Sequence, residues 1–200
     1  MIDFIDDIKV PVWKSIGQNK LDEAINFTVR EFKKLPSTPF HSILEQSFTN
    51  DPDDVAAWIW DFISKSEKEG NNKAFYFEMN GFSINPDLWF VGGFAFDICE
   101  SFEDYDWLAD WKSSTETTLK LRGLENIQKL IIDKAHYERE TSLAWEFCEL
   151  LIVLKLHKLF SLAFNILIEE GEQIKMPIIV NAHDDELEII LNKITNANKT

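Results

Sequence analysis

The sequence predicts an α+β fold, with an antiparallel β-sheet in the middle of the chain packed against N-terminal and C-terminal helices. Three observations carry that expectation. Residues 18–35 and again 51–69 repeat their apolar side chains at helical spacing, residues 73–98 switch to the period-two alternation of strands, and the helical period returns from Leu124 with one late apolar run at 177–180. Strands grouped in a block between helices, instead of alternating with them, point to α+β architecture over a doubly wound parallel sheet. The chain has 200 residues, 45% of them hydrophobic, with no internal repeat and no low-complexity linker, so one domain spanning 1–200 is expected. A chain of that length buries roughly 70% of its unfolded surface.

The first helix follows from Leu21, Ala24, Ile25, Thr28 and Phe32, which share one face, and Pro36 and Pro39 end the pattern. Asp51-Pro52-Asp53-Asp54 supplies a cap, a first-turn proline and early negative charge for a second helix, whose apolar side is Val55, Trp58, Ile59 and Phe62. Gly70-Asn71-Asn72 stops it.

From Lys73, Phe75 and Phe77 face one way and Tyr76 and Glu78 the other, as in a half-buried strand. Asn80-Gly81 is a favoured two-residue hairpin turn, which predicts that Phe82-Ser83-Ile84 returns antiparallel. A further strand runs from Trp89 to Ile98, and Gly92-Gly93 inside it implies a bulge or a close backbone approach. Trp107, Leu108 and Trp111 stand at helical spacing in a short turn, and Thr117 to Leu121 reads as a strand near an edge. A third helix covers Leu124 to Ala135 and a long fourth one about Thr141 to Ile168, closed by Gly171. Pro177 to Val180 reads as a short buried strand, and Leu187 to Ile194 as a terminal helix or fraying tail.

Several chemistries lack their motifs. Seven glycines include no phosphate loop, since Gly92-Gly93 is followed by strand-like Phe94-Ala95-Phe96 without a lysine. The serine elbow Gly-x-Ser-x-Gly is missing, and Cys99 and Cys148 form no Cys-x-x-Cys pair, so both are expected as reduced core thiols. The start Met1 to Asp7 is acidic and apolar by turns, unlike a secretory leader, which favours a cytoplasmic protein. Glu146, Glu149, Lys155, His157 and Lys158 interrupt the apolar run from Leu143 to Ile168, so a core helix is expected there and no membrane span. For metal chemistry, Asp133, His136 and Glu140 could share a helix face without a second ligand pair. His183-Asp184-Asp185-Glu186 is a richer cluster after a strand, and a small metal-dependent hydrolase built on His183 and Asp184 is the alternative to a binding protein. No cofactor is expected.

The charge is unevenly placed. The chain carries 35 acidic against 20 basic residues, a net −15 with an isoelectric point near 4.6, which repels a phosphate backbone and argues against nucleic acid as partner. Glu78, Asp87, Asp97, Glu100, Glu103, Asp104, Asp106 and Asp110 fall between Glu78 and Trp111, where there is no Lys or Arg, so about one sixth of the sequence holds over half of the net charge. The stretch from Cys99 to Trp111 is too acidic to bury, yet it holds Phe102, Tyr105, Trp107 and Trp111. One account is a loop clipped to the body by its rings. The other is a recognition surface for a basic protein, made of Asp97, Glu100, Phe102, Glu103, Asp104, Tyr105, Asp106, Trp107, Asp110 and Trp111, because aromatic anchors ringed by carboxylates suit a Lys- and Arg-rich partner.

The runs Phe75-Tyr-Phe-Glu-Met-Asn-Gly-Phe-Ser-Ile-Asn, Trp89-Phe-Val-Gly-Gly-Phe-Ala-Phe-Asp, Asp104-Tyr-Asp-Trp-Leu-Ala-Asp-Trp and Met176-Pro-Ile-Ile-Val-Asn-Ala-His-Asp together resemble the small, acidic, Trp-rich immunity proteins of bacterial polymorphic toxin systems. The likeness covers roughly residues 73 to 186. It implies a cytoplasmic, non-enzymatic protein that binds and neutralises a cognate toxin, often a basic nuclease, with contacts that vary between cognate pairs. A scaffold or oligomer subunit is a further alternative.

Overall fold

A computed structural model describes residues 3–82, 88–100, 106–134, 143–183, 185 and 187–192. Its described residues pack as two compact units, one built from Met1–Asn50, Gly81–Trp89 and Leu121–Leu159, the other from Asp51–Asn80, Phe90–Lys120 and Phe160–Thr200.

In the first unit a π-helical turn, Phe4–Lys9, runs into helix α1, Val10–Gly17, and is capped by the Asp3 carboxylate, which accepts from the Ile5 and Asp6 N–H groups. No periodicity was expected there: the segment is short, and Pro11 tolerates helix only because it sits in the first turn. Helix α2, Leu21–Phe32, buries Ala24, Thr28 and Phe32, the stripe its spacing predicts. A 3₁₀ segment, Pro39–Glu45, follows, with Thr38 and His41 exchanging backbone hydrogen bonds as a capping box. Helix α4, Glu125–Lys134, and the part of helix α5 (Leu143–Glu169) up to Leu159 complete the unit. Its core stacks Phe32 on Phe147 at 5.2 Å and sets Phe40 edge-on to Trp145 at 5.4 Å.

The second unit holds the sheet. Helix α3, Pro52–Glu69, begins at Asp51, whose side chain accepts from the Asp53 N–H, and ends before Gly70. Strands β1 (Ala74–Met79) and β2 (Phe90–Phe96) pair antiparallel from Ala74↔Phe96 to Met79↔Val91. Strands β3 (Ser113–Ser114) and β4 (Leu119–Lys120) both pair antiparallel with β2; β4 falls within the strand expected at Thr117 to Leu121, and β3 was not expected. Strand β5 (Ile178–Ala182) pairs parallel with β1, and β6 (Ile189–Ile190) pairs antiparallel with β5. One face carries Phe75 and Phe77, packed against Trp58 and Phe62 of α3 and, for Phe77, Phe160 of α5.

The fold is α+β as expected, with differences in detail. The sheet is mixed, because β5 is buried along its whole length and joins β1 in parallel; such strands read as continuous apolar runs. The hairpin partner of β1 is β2, not 82–84: Phe82 is a turn residue packed edge-on to Trp89 at 5.6 Å, while Ser83 and Ile84 lie outside the described residues. Asn80 closes the turn through its side chain, which accepts from the Phe90 N–H at 2.8 Å. The tail at 189–190 is a strand, where paired β-branched isoleucines override a helix-like spacing. Gly92-Gly93 makes no bulge, since the ladder is continuous, but a Cβ on Gly93 would lie 2.8 Å from both the Phe77 ring and Thr115, so the close approach is real.

Helix α5, Leu143–Glu169, is by length and composition long and apolar enough to cross a membrane, and 61% of its most apolar window is buried within the protein. Gly171, at φ +90°, terminates it, with the Gly171 and Glu172 N–H groups donating to the Ile168 and Leu167 carbonyls.

Candidate functional site

The second face of the sheet carries the alternate residues: Tyr76 and Glu78 on β1, Phe94 and Gly92 opposite them on β2, and Ile179 and Asn181 beside them on β5. A 3₁₀ turn, Asp106–Ala109, lies on one end of this face. There Trp107 is 4% exposed and edge-on to Phe96 at 5.1 Å, in a cluster with Ala74 and Ile179, against which Tyr76, Phe94, Cys99, Leu108 and Ile190 pack.

That packing divides the sequence-predicted surface. Trp107 is a clip, as the first account held, and presents no ring for a partner. Trp111 is different: it is 52% exposed and rests on Phe94 with ring centroids 5.4 Å apart. Asp106, Asp110, Asp97 and Glu100 are all exposed. Asp97 is paired with Lys112 at 3.3 Å, so the first cation beyond the acidic stretch offsets part of its charge. Phe102, Glu103, Asp104 and Tyr105 lie outside the described residues.

Sequence reasoning missed what the strands assemble next to Trp111. From Trp111 a row runs across the sheet: Phe94, then Tyr76 at 6.5 Å between centroids, then Glu78, whose Oε1 accepts from the Tyr76 hydroxyl at 3.3 Å and lies 3.1 Å from His183 Nδ1. The Glu78 and His183 side chains are 27% and 39% exposed, so this end of the row stays in reach of solvent. Gly92 stands opposite Glu78 in the ladder, and a Cβ there would meet the Phe94 ring at 3.5 Å. The 105-residue separation of Glu78 and His183 hid the pair. The period-two pattern did place Tyr76 and Glu78 together on the face away from Phe75 and Phe77.

Among the described residues no group of three or more His, Cys, Asp and Glu is placed to hold a metal ion. Asp185 serves a turn, accepting from the Leu187 N–H through its carboxylate and from the Asn181 amide through its carbonyl. Asp184, Glu186, His136, Glu140 and the Asp133 side chain lie outside the described residues. Neither thiol is activated: burial pushes Cys99 and, much further, Cys148 above the usual thiol range.

The fold and the row define an α+β chain whose most distinctive surface is an aromatic-to-acid stripe on a sheet. No family model, no curated protein and no solved structure matches the chain.

Proposed function

We propose that the protein is a non-enzymatic, immunity-type binding protein that captures a basic protein toxin on the stripe from Trp111 to Glu78. The observation that carries this reading is the exposed Trp111 ring seated on Phe94, with a solvent-reachable carboxylate at the far end of the same row. An arginine of the partner would lay its guanidinium against the Tyr76 and Phe94 rings and donate to Glu78, combining cation–π contact with a charge-assisted hydrogen bond. Asp106 and Asp110 would steer the encounter.

The test is to co-express the chain with toxic products of genes adjacent to its own and to measure growth rescue and binding kinetics. Rescue and a stoichiometric complex are expected; Trp111→Ala should weaken binding by about 30-fold or more, as for a buried aromatic anchor. Asp106→Asn with Asp110→Asn should slow association at low salt and leave dissociation nearly unchanged. Binding indifferent to all three substitutions would sink the assignment of this face. A metal-dependent hydrolase is the second reading, favoured by the His183 ring held against Glu78, and stoichiometric metal lost in His183→Ala would support it.

A further inference from the structure

Both hydrogen bonds of the Glu78 carboxylate converge on one atom. Oε1 accepts from the Tyr76 hydroxyl at 3.3 Å and faces His183 Nδ1 at 3.1 Å, so Oε2 is the oxygen that a ligand meets. Against a carboxylate oxygen Nδ1 carries the ring hydrogen, and the carboxylate is held from two elements, by β1 through Tyr76 and by the residue after β5 through His183. The backbone secures the same spot: the His183 N–H donates to the Met79 carbonyl at 2.8 Å, tying the end of β5 to the residue after Glu78. Asn181, beside Glu78 on β5, is turned to other partners, its amide donating to the Asp185 carbonyl and its oxygen accepting from the Ala182 N–H.

The rings beside this carboxylate form a wall and not a cage. Tyr76 and Phe94 stand at paired ladder positions on one face, their planes 31° apart, and the Phe94 ring leans to Gly92, the residue opposite Glu78. A planar cation can lie along such a wall with one edge at Oε2. A guanidinium is planar, weakly hydrated and stacks on aromatic faces, whereas an ammonium is a compact, strongly hydrated charge that loses more when one side of its water shell is replaced by rings.

We infer that Glu78 is set to take the guanidinium of an arginine in preference to a lysine ammonium, with Tyr76 and His183 as the positioning residues that aim Oε2 along the rings. This selectivity rests on the reading of the face as a binding surface, and it narrows the partner to a protein that presents an arginine there.

Two end-capped tripeptides, glycine–arginine–glycine and glycine–lysine–glycine, test it by NMR titration of the whole chain at low salt, read at the Trp111 indole and Gly92 amide resonances. The peptides carry the same charge, so the general attraction of a chain with net charge −15 cancels between them. The arginine peptide should shift both resonances saturably and bind about fivefold tighter or more. Glu78→Gln should abolish the preference. Tyr76→Phe, which keeps the ring and removes the hydroxyl, and His183→Ala should each cut it about twofold or more with the lysine peptide unaffected, a pattern that loss of the fold does not produce, since it weakens both. Equal affinities for the two peptides, no saturable shift with either, or a preference untouched by Glu78→Gln overturns the inference. An arginine preference in a chain that forms no toxin complex removes the toxin and leaves this selectivity standing, whereas a complex formed without the preference removes the selectivity alone.

Discussion

At the scale of single residues, two left-handed glycines separate conformational strain from steric clash. Gly123 and Gly171 have φ of +99° and +90°. A Cβ on Gly171 meets nothing within 4 Å, whereas one on Gly123 would lie 2.4 Å from the Ser47 carbonyl oxygen and 2.8 Å from the Thr49 nitrogen, both backbone atoms that cannot swing aside. Gly171→Ala should therefore cost only the left-handed penalty, about 1–2 kcal/mol. Gly123→Ala should add an overpacking term, for about 2–5 kcal/mol altogether. Urea unfolding of the two variants checks the order, and equal costs would contradict it. The neighbouring Glu125 gives a pH signature. Its carboxylate accepts the Gly123 N–H at 2.9–3.0 Å, which holds its pKa below the ordinary 4.5. A depressed folded pKa means stability that is present above pH 4.5 and lost as pH falls through the folded value. Glu125→Gln should flatten the acid limb of the stability curve by a few tenths of a kcal/mol, because the group is exposed and screened. Residue identity alone could not distinguish the two tryptophans of the acidic stretch: Trp107 turns inward onto Phe96 and Trp111 stays out, a choice made by the sheet beneath them.

At the scale of elements, legibility followed the range of the interactions. Helix α3 could be read from end to end because its signals are local: the Asp51 cap, Pro52 in the first turn, the stripe of Val55, Ile59 and Phe62, and Gly70 after the last turn. Asp51→Ala should cost about 1 kcal/mol by thermal or urea unfolding, the usual value of a side-chain cap, and a neutral result would mean that Pro52 alone sets the start. Strand β1 was equally clear, and Phe77, wholly buried among Trp58, Phe62 and Phe160, should cost about 3–5 kcal/mol when cut to alanine. Its neighbours were legible as strands, but their pairing with β1 was not. The parallel partner Ile178–Ala182 lies about a hundred residues downstream, and no local pattern announces such a pairing.

At the scale of the whole molecule, the net charge of −15 acts on folding and on association with opposite signs. Like charges spread over one body repel, so the compact state is opposed by its own field. The exposed pairs, such as Lys20 with Glu23 and Lys158 with Asp22, offset little of this, because each contributes only about 0–1 kcal/mol. Raising ionic strength from 0.01 to 0.15 M shortens the screening length from about 30 Å to about 8 Å, which weakens repulsion between distant carboxylates more than attraction within a contact pair. The melting temperature should rise over that range; a gain of about 1 kcal/mol corresponds to about 2–4 °C for a chain of this size. The same screening should slow capture of a basic partner, whose long-range attraction to Asp106 and Asp110 is the steering term. Salt that stabilises the free protein while slowing association is thus the expected pair of results, read by calorimetric melting and stopped-flow mixing. Parallel changes, with stability falling as association slows, would mean that local ion pairs and not the distributed charge govern this molecule.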